Sequence, residues 1–90
     1  MTHLEIEAAI YKAVRKVKPS LTEEPLSPAT RFDTYNISSL ELAMITFEIE
    51  DHFDLDIADA NLDTFVDIGE ARDLVARLME QAHGVQVVPA

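Results

Sequence analysis

Ser39 is the residue of this chain whose type and position best suit chemistry. The stretch Tyr35-Asn36-Ile37-Ser38-Ser39-Leu40-Glu41-Leu42 reads as a loop that runs into the first turn of a helix. Ser38 and Glu41 fit a capping box, in which the first hydroxyl covers a backbone N–H and the acid reaches back. That leaves the Ser39 hydroxyl exposed, beside first-turn N–H groups without helical partners and at the positive end of the helix dipole. Such a place favours an anion held on the serine oxygen, so the chemistry it suits is a phosphate ester.

Other chemistries fit less well. A hydrolase serine needs a Gly-x-Ser-x-Gly elbow and an oxyanion loop, and neither is present. There is no cysteine, hence no disulfide frame, thiolate metal site or thiol nucleophile. His3, His52 and His83 are far apart and form no i, i+4 ligand pair, so no metal site is expected. Asp54, Asp56, Asp59, Asn61 and Asp63 invite a calcium-loop reading, but Asp59 stands where glycine is needed and Phe65 where Glu is needed. The chain is therefore read as no enzyme. The bland alternative for Ser39 is an unmodified residue in a capped helix turn.

The net charge of −10 argues against nucleic acid as a partner, since phosphate backbones need a basic patch. Four of the seven basic residues, Lys12, Arg15, Lys16 and Lys18, lie in the first segment, whereas residues 32–63 carry nine acids and no Lys or Arg. A one-sign surface steers basic partners, or serves only to keep the chain soluble. The amino-terminal residues lack a basic region followed by a long apolar run, and no apolar segment is long enough to span a bilayer. A monomer in the cytoplasm, with no membrane partner, is the expectation.

The 90 residues, 48% hydrophobic, are enough for one small core. A carrier unit over residues 1–84 is expected, with a tail of unassigned role at 85–90. The first helix is expected over Leu4 to Val17, opened by Thr2 and Glu5, faced by Ile6, Ile10, Val14 and Val17, and stopped by Pro19. Residues 19–37 hold three prolines and no sustained period, so they read as a long loop anchored by Leu21, Leu26, Phe32 and Ile37. A second helix spans Ser39 to Phe53. Asp54-Leu55-Asp56-Ile57 reads as extended, a short third helix is expected near Ala58 to Thr64, and a last helix begins at Asp67 and ends at Gly84.

The second helix has two apolar faces at about 100° per residue. Leu42, Ile45, Ile49 and Phe53 form one, expected to meet Ile6, Ile10, Val14, Leu74, Val75 and Leu78. Leu40, Ala43, Met44 and Phe47 form the other, with Glu41, Glu48 and His52 along one edge and Thr46 and Glu50 along the opposite edge. A second stripe that begins at Ser39 and is rimmed by acids reads as a recognition surface. Burial beneath the long loop is the alternative.

At these residues the chain resembles the acyl carrier protein family. The family's Asp-Ser-Leu and acidic helix ending in Glu-x-x-Phe correspond to Ser38-Ser39-Leu40 and Glu50-Asp51-His52-Phe53, followed by Asp54-Leu55-Asp56-Ile57. The resemblance runs from the first helix to about Ala82. It implies an all-α fold, an antiparallel bundle of three main helices plus one short helix. It implies that Ser39 bears a 4′-phosphopantetheine arm, added from coenzyme A by a phosphopantetheinyl transferase, whose thiol holds acyl, aminoacyl or peptidyl cargo as a thioester. It implies that Leu40, Glu41, Ala43, Met44, Phe47, Glu48, Glu50 and Asp51 meet basic surfaces of acyl-activating and acyl-transferring enzymes, as in fatty-acid or polyketide biosynthesis. The family's Asp is Ser38 here, and its usual turn glycine is Asn36, a residue that also tolerates left-handed backbone. These departures point to a specialised carrier, for a secondary-metabolite or aminoacyl pathway, and the lack of free linkers at both ends reads as a standalone protein. The alternative in another class is an acidic helical adaptor that docks basic proteins without a prosthetic group.

Overall fold

The computed structural model describes residues 1–57 and 66–89. It is all-helical: three α-helices, α1 (His3–Val17), α2 (Ser39–Phe53) and α3 (Ile68–His83), with two 3-10 turns at Pro19–Leu21 and Phe32–Tyr35. No strand occurs among the described residues. The expected helix near residues 58–64 lies outside them.

Local chemistry sets the helix ends. The Thr2 hydroxyl accepts from Glu5 N–H at 3.2 Å and opens α1 one residue earlier than the apolar pattern alone suggests. The Asp67 carboxylate does the same for α3, accepting from Glu70 N–H at 2.9 Å. Asp54 and Gly84 close α2 and α3 in the left-handed conformation, at φ 53° and 63°. Glycine adopts it at no cost, and Asp is among the few other residues that visit it readily.

α1 packs against both other helices. Ile6, Ile10 and Val14 meet Ile45, Ile49 and Phe53 of α2, and Ile68, Leu74, Val75 and Met79 of α3, in one core. Leu42 and Leu78, expected in that core, are only partly buried at its edge. Thr46, expected on a helix edge, is buried instead. Its hydroxyl is spent on the Leu42 carbonyl oxygen at 2.9 Å, so its methyl can face the core without an unpaired polar atom.

The loop expected at 19–37 is tied down along its length. Leu21 and Phe32 are buried, and Leu26 and Ile37 pack on the core. Residues 28–32 run beside the start of α3: Phe32 N–H donates to the Val66 carbonyl at 3.1 Å, Ile68 N–H to Thr30 at 3.1 Å and Gly69 N–H to Pro28 at 2.8 Å. A Cβ on Gly69 would stand 3.1 Å from the Pro28 carbonyl oxygen, a tight contact that glycine avoids. The segment after Gly84 is also structured. Val85 and Val87 pack on the core, and a parallel bridge joins Val88 to Thr2.

One buried ion pair crosses the core's edge. Glu7, 6% exposed, receives the Arg72 guanidinium at 3.0 Å. Asp73 accepts from the same guanidinium, and these two carboxylates hold Arg72 above its ordinary value.

Candidate functional site

Ser39 is the first residue of α2, and it is exposed. Its hydroxyl makes no hydrogen bond among the described residues. Its neighbour Ser38 is the N-cap: the Ser38 hydroxyl accepts from Glu41 N–H at 3.1 Å, and the Glu41 carboxylate accepts from Ser38 N–H at 2.9 Å. The two serines thus differ: Ser38 closes the helix end, and Ser39 leaves its hydroxyl unengaged among the described residues. The Ser38 N–H, followed by the Ser38 hydroxyl and the Lys18 ammonium, holds Glu41 below its ordinary value.

The turn before Ser39 is held from two sides. Asn36 sits in the left-handed region, φ 55° and ψ 40°, and its N–H closes the Phe32–Tyr35 turn onto Asp33 and Phe32. Lys18, from the end of α1, donates to the Asn36 carbonyl at 3.2 Å and reaches Glu41 at 3.5 Å. Ile37 N–H donates to the Phe32 carbonyl at 3.2 Å. The hydroxyl is therefore presented from a backbone fixed by a cap, a left-handed turn and an ion pair.

The stripe that starts beside Ser39 lies on the surface. Leu40 is 73% exposed, Phe47 68% and Met44 45%, and Ala43 is half-buried between them. Three apolar side chains are thus open to solvent along one helix face. The acids around it are not equivalent. Glu48 pairs with Lys16 at 3.0 Å, and Glu41 is engaged by Ser38 and Lys18. Glu50 accepts from Ile57 N–H at 2.7 Å, so one of its oxygens secures the chain after α2. Asp51 is exposed and forms no ion pair among the described residues.

Openings among the described residues flank α2, and two of them bear on the site. One is an apolar crevice between α2 and α3, lined by Leu42, Ile45, Thr46, Ile49, Leu74 and Val75 among others, with room for the centres of water-sized spheres of about 10 Å³. That is about the space of one water. The other is an open groove of about 390 Å³ beside Ser39 itself, bordered by Arg31, Phe32, Asp33, Ile37, Ser39, Leu42 and Val66.

Arg31 and Asp33 escaped the reading of the sequence. They form a two-pronged ion pair, Nε to Oδ1 at 3.1 Å and Nη2 to Oδ2 at 3.0 Å, which raises the guanidinium and lowers the carboxyl relative to their ordinary values. The available signal was that Arg31 is the sole Lys or Arg between Lys18 and Arg72. Among the described residues no three His, Cys, Asp or Glu side chains gather as metal ligands, and no helix is long and apolar enough to cross a membrane. In comparisons with known proteins, no family model matches the chain, and neither a curated protein nor a solved structure does.

Proposed function

We propose that this chain is a carrier domain of the acyl carrier type, with 4′-phosphopantetheine esterified to Ser39. One observation carries the reading: an exposed, unengaged serine at the first position of a capped helix, at the head of an exposed apolar stripe with an acidic rim. When attached, the group supplies a thiol on a flexible tether, chemistry that no side chain of this cysteine-free protein offers. The residues fit it. The first turn of α2 and its dipole favour the phosphate, and Ser39 is exposed with its hydroxyl unengaged among the described residues. Ser38 and Lys18 hold the backbone that carries Ser39.

The chain's part is then to tether, present and shelter, with no bond made or broken by its own side chains. Tethering raises the effective concentration of a bound group at each partner enzyme. Leu40, Ala43, Met44 and Phe47 would form the apolar centre of the docking surface, with Glu41, Glu48, Glu50 and Asp51 around it. Any enzyme that receives the group must face this stripe, because it starts at the tether. The α2–α3 crevice is the place where an apolar cargo could enter by widening the helices. The finer fold is part of the proposal: α1, α2 and α3 as an antiparallel bundle completed by a short helix over residues 58–64.

The test is co-expression with a broad-specificity phosphopantetheinyl transferase, followed by intact mass. A gain of one phosphopantetheine, located on Ser39 by tandem mass spectrometry and lost in Ser39→Ala, supports the reading. An unchanged mass overturns it and leaves the acidic adaptor, for which the same exposed stripe would be the docking face.

A further inference from the structure

We infer that the groove beside Ser39 is a resting site for the phosphate-proximal part of the arm, and that Arg31 is its charged anchor. The inference rests on the carrier reading above. Its first ground is connectivity. Ser39 is itself part of the groove wall, so a group esterified to its oxygen begins there. At about 390 Å³, the space lies within the range of small-molecule sites, roughly 300–1,000 Å³.

The second ground is the chemistry of the groove's lining. The arm begins with an anionic phosphodiester, continues with a carbon bearing two methyl groups, and then carries amides. The groove is lined by the charged residues Arg31 and Asp33 together with the apolar Ile37, Leu42 and Val66. Arg31 has the means to hold a second anion. A guanidinium has five N–H donors in a planar fork suited to phosphate, and Asp33 occupies one on Nε and one on Nη2. Lys18, the nearest basic residue before it in the chain, is already committed to Asn36 and Glu41. Asp33 competes for the same guanidinium and repels a phosphate. The pair therefore sets the balance between a docked and a released arm, with Arg31 favouring the first and Asp33 the second.

Arg31 and Asp33 are both exposed, so neutral replacements should leave the core undisturbed. The experiment uses isotope-labelled protein carrying an unlabelled arm, with occupancy checked by intact mass. Isotope-filtered NMR reads contacts between the arm's methyl protons and the side chains of Ile37, Leu42 and Val66. Such contacts are expected in the unsubstituted protein. Arg31→Gln should lower the docked-to-released ratio by about two- to fivefold, the scale of an exposed charge pair, and Asp33→Asn should raise it. Contacts missing from fully modified protein, or contacts that neither substitution moves, overturn the resting site and leave the carrier reading intact. Failure to acquire the arm at all overturns both, and the mass tells the two failures apart. Should Arg31→Gln lose its dispersed amide spectrum, Asp33→Asn alone decides, since its expected effect has the opposite sign.

Discussion

Lys18 donates from the end of α1 to the carbonyl of Asn36 at 3.2 Å, and so ties one helix to the left-handed residue three positions before Ser39. The same ammonium reaches Glu41, the acid of the capping box. Replacing Lys18 by Met keeps most of the stem and removes both polar contacts. Stability should fall by about 1 kcal/mol, and amide exchange at Ile37 and Ser38 should quicken. Unchanged exchange there would show that α1 does not steady the turn that presents Ser39.

The two apolar faces of α2 should separate in a mutational comparison. Ile49 is buried in the core, and Ile49→Ala should cost about 2–5 kcal/mol. Met44 and Phe47 are exposed, so Met44→Ala and Phe47→Ala should stay within about 0.5 kcal/mol of the parent. If the carrier proposal holds, these two should shorten the residence time on partner enzymes, while Glu48→Lys slows association most at low salt. Urea unfolding and surface-immobilised binding kinetics make the comparison. A large loss of stability in Met44→Ala would place that stripe in the core.

Glu41 gives a pH signature. Its folded pKa is depressed below the ordinary value of 4.5, chiefly by the Ser38 N–H. The carboxylate is thus held better in the folded protein than in the unfolded chain. Its contribution is complete above pH 4.5 and is lost as pH falls through the depressed value. Glu41→Gln keeps the capping geometry without the charge. The stability difference between parent and variant should be flat from neutral pH to about 4.5 and shrink below it. Taking the difference cancels the repulsion common to both highly acidic chains. A gap that stays constant into strong acid would mean the carboxylate gains nothing from its partners.

The segment after Gly84 should matter to the fold. His3 N–H donates to the Val88 carbonyl at 2.9 Å, Val88 N–H to Met1 at 3.0 Å, and Val85 and Val87 rest on the core. Truncation after Gly84 should cost about 2–4 kcal/mol, from the lost hydrogen bonds and re-exposed apolar area. A truncated protein that melts with the parent would show these contacts to be neutral.

The sequence by itself determined what is short-range. Helix ends follow from residues three or four apart. Ser38 with Glu41, Thr2 with Glu5 and Asp67 with Glu70 can be read as caps because the bonding groups are neighbours in the chain. The bounds of α2 and the left-handed Asn36 follow from the same local logic. Periodicity told the buried stripe of α2 from the second one, but it assigned Leu42 too much burial and Thr46 too little. The edge of a buried face depends on where α3 and Phe32 come to lie, and no helical wheel contains that.

Tertiary structure decided everything that joins distant residues. Lys18 with the Asn36 carbonyl and the Arg72 ion pair with Glu7 are each one pairing among many, and only the packed helices select which groups meet. Residues 28–32 carry no helical or strand period, yet they lie fixed against the start of α3 because their backbone groups find partners there and Gly69 lets them approach. That clasp brings Phe32 and Val66 together in the lining of the groove beside Ser39, which Arg31 also borders. The capped turn that places Ser39 at the start of α2 was legible because its bonds are local. Its surroundings were not, because a groove is a relation between segments that only folding brings together.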